Sequence, residues 1–571
     1  MNHWVDLAPA ESLAVGSAKA FRRGGEHVAV FRLAEDRFFA IDNRCPHEGY
    51  AMVQGYVQKQ TVTCAWHNFK FDLETGQCLM GDEDIRTFPV RCQRGRLEVE
   101  VVPPDPRQEQ ERALRSLEQG ILEGRIAQAT RDMVRALHFG LEPRQLALEL
   151  CRIDAVYARY GLGHGTAAAV DALRFQDIFE GPAMALPLLI PARQVAQDRI
   201  RLPRRQSHQE ISEQDGEVAL RAAVEVVDLP RAVGIFSGLW DGNWSKLRHL
   251  FFRLCSDHFY SFGHRLIYLV KVDELLAGVQ EKDAEFHDVA GVVEGLLVGI
   301  VNGTRHDTLP PWRRWMRSCA PYGERLSLWV SNEGADSDRI LALAEAWCQP
   351  EEEEALDALI RALDAGLTAK QGAEALILAA SHRMLSFDVR LDGDPTLQDD
   401  WLNVTHCLTT SVAYLQAIER GMAHPVDALR QLFLCARFVW GMHPLDGEAI
   451  AMPAPEAMTA EDVLNALAAG QEEKVFAGAQ HLLRESGKRF RTSLLNASVR
   501  DAGIRPIVAV HLMKTLVAAM DASTALSVGQ ERPVLAALRF WCHGHREFNS
   551  ERLVHEAMVN VVDGGIPRTL T

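Results

Sequence analysis

Two short stretches near the start of the chain, CPHEGY at 45–50 and CAWH at 64–67, restrict its fold more than anything else in its 571 residues. They place Cys45-x-His47, sixteen intervening residues, and then Cys64-x-x-His67. Two thiols and two imidazoles at these spacings suggest a metal site, and each loop brings one of each kind. A structural zinc ion accepts two Cys and two His, so zinc competes at this point. Zinc fingers, however, normally keep Cys with Cys and His with His. A mixed pair on each loop suits a binuclear centre, with one iron held by thiolates and the other by imidazoles.

The sequence around these loops reads as short strands. HVAVFRL, RFFAID and TVTCAW are rich in β-branched and aromatic residues, GRLEVEVV alternates at period two, and glycines mark the turns at RRGGE, LETGQ and QRGR. VVPPDPRQEQER breaks the pattern with three prolines and a polar run, which predicts a linker. Everything beyond has apolar residues three and four apart, as in EEEEALDALIRALDAGL. The expected architecture is therefore multidomain. An N-terminal all-β domain (1–102) and a linker (103–116) precede a large all-α domain of repeated helical units, with one repeat pair at 117–345 and a second at 346–571.

The front of the chain resembles the Rieske [2Fe-2S] domain, through the two Cys/His loops, Pro46, Gly49, the FDLETGQ turn and the TFPV before a closing strand. The resemblance implies that Cys45 and Cys64 bind one iron of the cluster while His47 and His67 bind the outer one. High-potential members carry an additional cysteine in each loop, bonded to one another. Tyr50 and Trp66 stand at those places here, which implies the ferredoxin and oxygenase type, at the low end of a range of about -150 to +300 mV.

The helical part carries an internal repeat of an aromatic or apolar run, a histidine, and an apolar helix. It recurs at His164, His264, His406 and His511, at intervals of 100, 142 and 105 residues. Each is followed by a second apolar helix that opens on a potential ligand: Glu180, His287, His424 and Glu531. The middle two units add His306 and His443 where that second helix ends. A period this long means multi-helix units stacked side by side. If the pairs curl face to face, the histidines converge in a cavity where imidazole and carboxylate ligands suit non-haem iron. The middle units, with His264, His287, His306, His406, His424 and His443, are the richer candidates; the outer two offer only His164 with Glu180 and His511 with Glu531. The bland alternative is a set of structural histidines, each bonded to a backbone carbonyl.

The Asn-x-x-Asp-x-x-His-x(4)-His signature of ordinary ring-hydroxylating oxygenases is absent. The His-bearing units, such as HGTAAAVDAL, are faintly similar to questin oxidase-like proteins over about 120–560, which carries no residue across and points to oxygen chemistry.

A net charge of -16 argues against nucleic acid as a partner. No signal peptide or membrane span is evident, and eleven thinly spread cysteines fit reduced thiols, so a cytoplasmic protein is expected. No nucleotide-binding segment occurs, so electrons are expected from a separate flavin-containing reductase or another donor. The expected function is oxygenation of a small organic molecule; an oligomer is compatible with this. The alternative is a Rieske electron carrier or redox sensor fused to a helical protein-interaction scaffold.

Overall fold

In strand β3 (Glu26–Ala34) four consecutive residues, Val28 to Phe31, are buried. Adjacent strand residues point to opposite faces, so β3 is covered on both sides. Ala29 and Phe31 pack with Val62, Phe71 and the two loop cysteines, while Val28 and Val30 pack with Leu7, Leu97 and Val99. That central position follows from the β-branched and aromatic run in the sequence. Burying a side chain such as Phe31 or Phe71 contributes about 1.5–3 kcal/mol.

This computed structural model describes residues 4–544, except 24, 82, 201–214, 278–287, 393, 395, 396, 398, 449 and 501–504, and also residue 558. It divides into two compact units, Met1–Gly120 with Arg125–Gly140, and Ile121–Gly124 with Leu141–Thr571.

Among its described residues the first unit holds three antiparallel sheets. β1 (Trp4–Pro9) pairs with β11 (Arg96–Glu100), which also pairs with β10 (Val90–Gln93). β2 (Ser17–Arg23), β3, β4 (Arg37–Asp42) and β9 (Thr87–Phe88) form the second sheet. β5 (Tyr56–Gln58), β6 (Thr61–Thr63), β7 (Lys70–Asp72) and β8 (Cys78–Met80) form the third. This is the all-β domain expected from the sequence.

The stretch read as a linker, 103–116, is helical from Pro106, within the helix Pro106–Glu123. Proline at a first helical position loses nothing, because its missing N–H would have had no helical partner. The Asp105 carboxylate accepts a hydrogen bond from the Arg107 backbone N–H at 3.1 Å and caps the start. A second helix, Ile126–His138, completes the unit. Its Arg131 and Arg135 close on the buried Glu83 carboxylate at 2.5 and 2.8 Å. The folded unit therefore extends beyond 102, because a polar helix is hidden in a proline-flanked run.

The second unit is helical among the described residues. Four helices, His164–Asp171, His264–Leu276, Trp401–Glu419 and Pro506–Ala525, pack in a closed ring, each against the next. Each is backed by its own second helix: Ala185–Asp198, Val289–Val301, Pro425–Trp440 and Arg532–His543. Three of the units also share a short bridge that ties the segment before the first helix to the segment after the second: Ala158 with Arg199, Tyr260 with Arg305, and Phe387 with Asp446. Pro506–Ala525 is long and apolar enough to cross a membrane by composition, and 78% of that apolar window is buried inside the protein.

Candidate functional site

The two loops of the first unit share one backbone pattern. The Cys45 N–H donates to the Tyr50 carbonyl at 2.9 Å, and the Cys64 N–H donates to the Phe69 carbonyl at 2.8 Å. Each Cys carbonyl accepts in turn from the residue four further on, Gly49 at 2.8 Å and Asn68 at 3.2 Å. Gly49 and Asn68 both adopt positive φ, +77° and +61°. Glycine and asparagine are the residues that tolerate this conformation.

Cys45 and Cys64 are buried at 3% and 1% exposure, in the core cluster shared with β3. The imidazoles stand toward solvent, with the His47 and His67 Nδ1 atoms 3.1 Å apart. Burial, reinforced by the Cys64 thiol, pushes the Cys45 thiol up to about 11. Burial, then the Arg131 guanidinium, lowers the His47 imidazole, which favours its neutral, metal-binding form. Aromatic rings brace the loops: His47 stacks on Phe69 with centroids 4.6 Å apart, and Trp66 stacks on His67 at 4.9 Å. Tyr50 and Trp66 lie 5.7 Å apart. A soft pair of donors inside and an imidazole pair outside fit a centre with chemically distinct irons.

The second constellation is the ring of four helices. His264 and His406 approach with Nε2 atoms 2.7 Å apart, and His511 Nε2 lies 3.2 Å from His406 Nε2. His164 completes the group, its ring centroid 4.6 Å from His264 and 4.7 Å from His511. Two nitrogens each about 2.1 Å from one ion stand roughly 3.0–3.4 Å apart, so these separations are close to those of shared coordination. His164, His406 and His511 offer donor atoms within 4.8 Å of one another. Burial lowers all four imidazoles well below their ordinary range, which keeps them neutral.

Local structure aims these rings. His511 Nδ1 lies 2.7 Å from the Ile507 carbonyl, to which it donates, leaving the Nε2 lone pair to face the centre. His164 Nε2 is buried and finds no hydrogen-bond partner among the described residues. His264 opens its helix directly after Ser261, Phe262 and Gly263, all at positive φ (+46°, +58° and +85°). The Thr410 hydroxyl donates to the Phe262 carbonyl at 3.2 Å, tying this tight segment to the helix that carries His406. A Cβ on Gly263 would collide with Thr410.

The histidines that meet are the first-helix set, outer units included. His306 is separated from it by Phe262, whose ring lies 4.6 Å from His306 and 6.2 Å from His406. His443 turns to the Trp440 carbonyl at 3.1 Å, and His424 is an exposed residue preceding its helix. Glu180 is exposed and Glu531 precedes the helix Arg532–His543, so the converging group is all imidazole instead of His/carboxylate. His287 lies outside the described residues. The second helices back the ring helices, which keeps Glu180, His424 and Glu531 from the ring. Lys514, one turn beyond His511 in HLMK, carries no ligand pattern in the sequence and is absent from the expected set. Its Nζ is buried with no partner among the described residues, and burial lowers it to about 7.

Residues 3–89 match the family model described as the Rieske [2Fe-2S] domain. The anthranilate 1,2-dioxygenase ferredoxin subunit of Burkholderia cepacia is 31% identical over 100 residues, 17% of this chain and 92% of that protein. The 4beta-methylsterol monooxygenase of Methylococcus capsulatus is 30% identical over 116 residues, 18% of this chain but only 31% of that protein. Among solved structures, the ferredoxin of carbazole 1,9a-dioxygenase from Nocardioides aromaticivorans IC177 is 26% identical and covers 17% of this chain and 98% of that one, with a TM-score of 0.17.

Proposed function

The chain belongs to the Rieske [2Fe-2S] family through its N-terminal domain, and from this premise we propose that Cys45 and Cys64 hold the inner iron of the cluster while His47 and His67 hold the outer one. A Rieske domain implies a [2Fe-2S] cluster and electron transfer. The buried thiols and outward imidazoles support the ligand assignment.

Electrons come from a separate flavin-containing reductase or a comparable donor, and serve a second metal in the helical unit. His164, His264, His406 and His511 would hold a non-haem iron there, which when bound supplies oxygen activation against a small organic substrate in the cytoplasm. One observation carries this reading: four neutral imidazoles, buried at His406 and His511 and half-buried at His164 and His264, are drawn together from helices 100 or more residues apart. Without an ion His164 Nε2 is left buried with no hydrogen-bond partner among the described residues, an unfavourable arrangement that coordination relieves. The surrounding residues keep the imidazoles neutral.

Anaerobic purification followed by metal analysis tests the proposal. Three irons per chain are expected, falling to two in a His264→Ala/His406→Ala variant. Two irons in the unaltered protein, with no other metal and no oxygen uptake, sink the oxygenase reading and favour an electron carrier on a helical scaffold. A colourless protein with a single zinc removes the cluster as well.

A further inference from the structure

The four helices of the ring meet again beyond the histidines. Counting seven residues from the first two histidines reaches Asp171 and Lys271, whose side chains form an ion pair at 2.7 Å. Counting ten from each of the four reaches Arg174, Glu274, Gln416 and Asp521. These also touch: Arg174 lies 3.1 Å from Asp521 and 3.5 Å from Glu274, and the Gln416 amide donates to Asp521 at 2.9 Å. Layers that match at +10 require all four helices to run in the same direction. The second layer lies about 15 Å from the first at 1.5 Å per residue.

Between the layers lies a cavity of about 20 Å³, walled by Asp171, Lys271, Thr409 and Lys514. A space of about 10–15 Å³ or more holds a water when polar partners surround it. Beyond it, a pocket of about 260 Å³ is lined by Arg174, Glu274, Gln416 and Asp521. Val412 and Gln416 line both. A bundle core is more cheaply filled with apolar side chains than with buried charges. A structural ion pair accounts for Asp171 and Lys271, but not for Lys514, which has no partner among the described residues, beside a water-sized space.

Resting on the proposed oxygenase function, we propose that this polar column is the proton route from solvent to the histidine site. Monooxygenation and reductive dihydroxylation each consume two electrons and two protons per oxygen molecule, and the site lies inside the ring of four helices. The electrons come from the reductase by way of the [2Fe-2S] domain. The protons enter from bulk water at the Glu274 and Asp521 carboxylates, pass the Asp171 carboxylate, and reach the site through a water bonded to Lys514. No electron and no bond to carbon is involved along the column.

Two measurements test this. A high-resolution crystal structure of the full chain is expected to show an ordered water within hydrogen-bonding distance of Lys514 Nζ; a dry cavity overturns the proposal whatever the activity. The reduced, iron-loaded protein is then mixed with oxygen and proton uptake is followed with a pH indicator. Ala518→Val, which fills the cavity and removes no charge, is expected to slow uptake at least 10-fold with iron content unchanged. Asp171→Asn is expected to do the same, although its loss leaves the buried Lys271 with Glu274 alone at 3.2 Å, so Ala518→Val carries the test if that variant does not fold. Uptake by Ala518→Val at the unaltered rate overturns the route and leaves the oxygenase reading standing. An unaltered chain with no third iron and no oxygen uptake overturns both.

Discussion

His264 and His406 stand 142 residues apart in the chain, yet their Nε2 atoms approach to 2.7 Å inside a ring of four helices. The histidines of the middle units, the most numerous in the sequence, are divided by this ring. One from each first helix is inside, and His306, His424 and His443 are outside.

That division gives a direct expectation. His164→Ala and His511→Ala should each weaken metal binding at the proposed helical site by about 100-fold or more, since even outer-shell partners of ligands are worth 10–100-fold. His306→Ala and His443→Ala should keep it. Equilibrium dialysis against a divalent metal reads all four variants, and equal retention by the two pairs would refute the all-imidazole site.

Gly263 sits at φ +85° with Thr410 packed against the place a Cβ would occupy. Gly263→Ala should therefore lower stability by about 2–4 kcal/mol, combining left-handed strain with a displaced neighbour. It should also reduce metal retention, because His264 is the next residue. Urea unfolding and metal analysis on the same sample check both.

Glu83 is 5% exposed and receives two arginines from the helix Ile126–His138. Glu83→Gln leaves two cations facing a neutral amide, and should destabilise the first unit by about 3 kcal/mol, the lower end for a broken buried pair. Loss of the cluster's colour during urea titration reports it. A midpoint equal to that of the unaltered protein would mean the helix is not held this way.

His258 lies 2.8 Å from Asp307 and 2.9 Å from Glu225. Burial works against its charge, but hydrogen bonds to Asp307 and then Glu225 outweigh this and raise the imidazole above its ordinary range. A raised folded value means the contribution is fully present below about pH 6.5 and fades as pH climbs through the folded pKa. The stability gap between the unaltered chain and His258→Gln should thus shrink from pH 5.5 to pH 8.5. A gap that widens with pH contradicts the assignment.

The loops at Cys45 and Cys64 are legible in the sequence because their chemistry is local. The two Cys and two His lie within 23 residues of one another, and Gly49 and Asn68 reveal the turns by composition alone. The helix Pro106–Glu123 is concealed for a local reason too: prolines that usually interrupt a helix here stand before it and at its first position. Lys514, Asp171 and Lys271 leave a legible trace, each a charge one or two turns past a histidine in an otherwise apolar helix. That register has meaning only once four such helices are laid side by side.

By itself the amino-acid order determined the two Cys/His loops, the strands that carry them and the existence of His-bearing helical units, all of which depend on residues near one another along the chain. The tertiary structure decided which histidines share a centre, which residues line the column and where the first unit ends. Those choices depend on packing between helices separated by 100 residues or more. Which helix lies inside is set by the burial of whole faces, and no spacing along the chain records it.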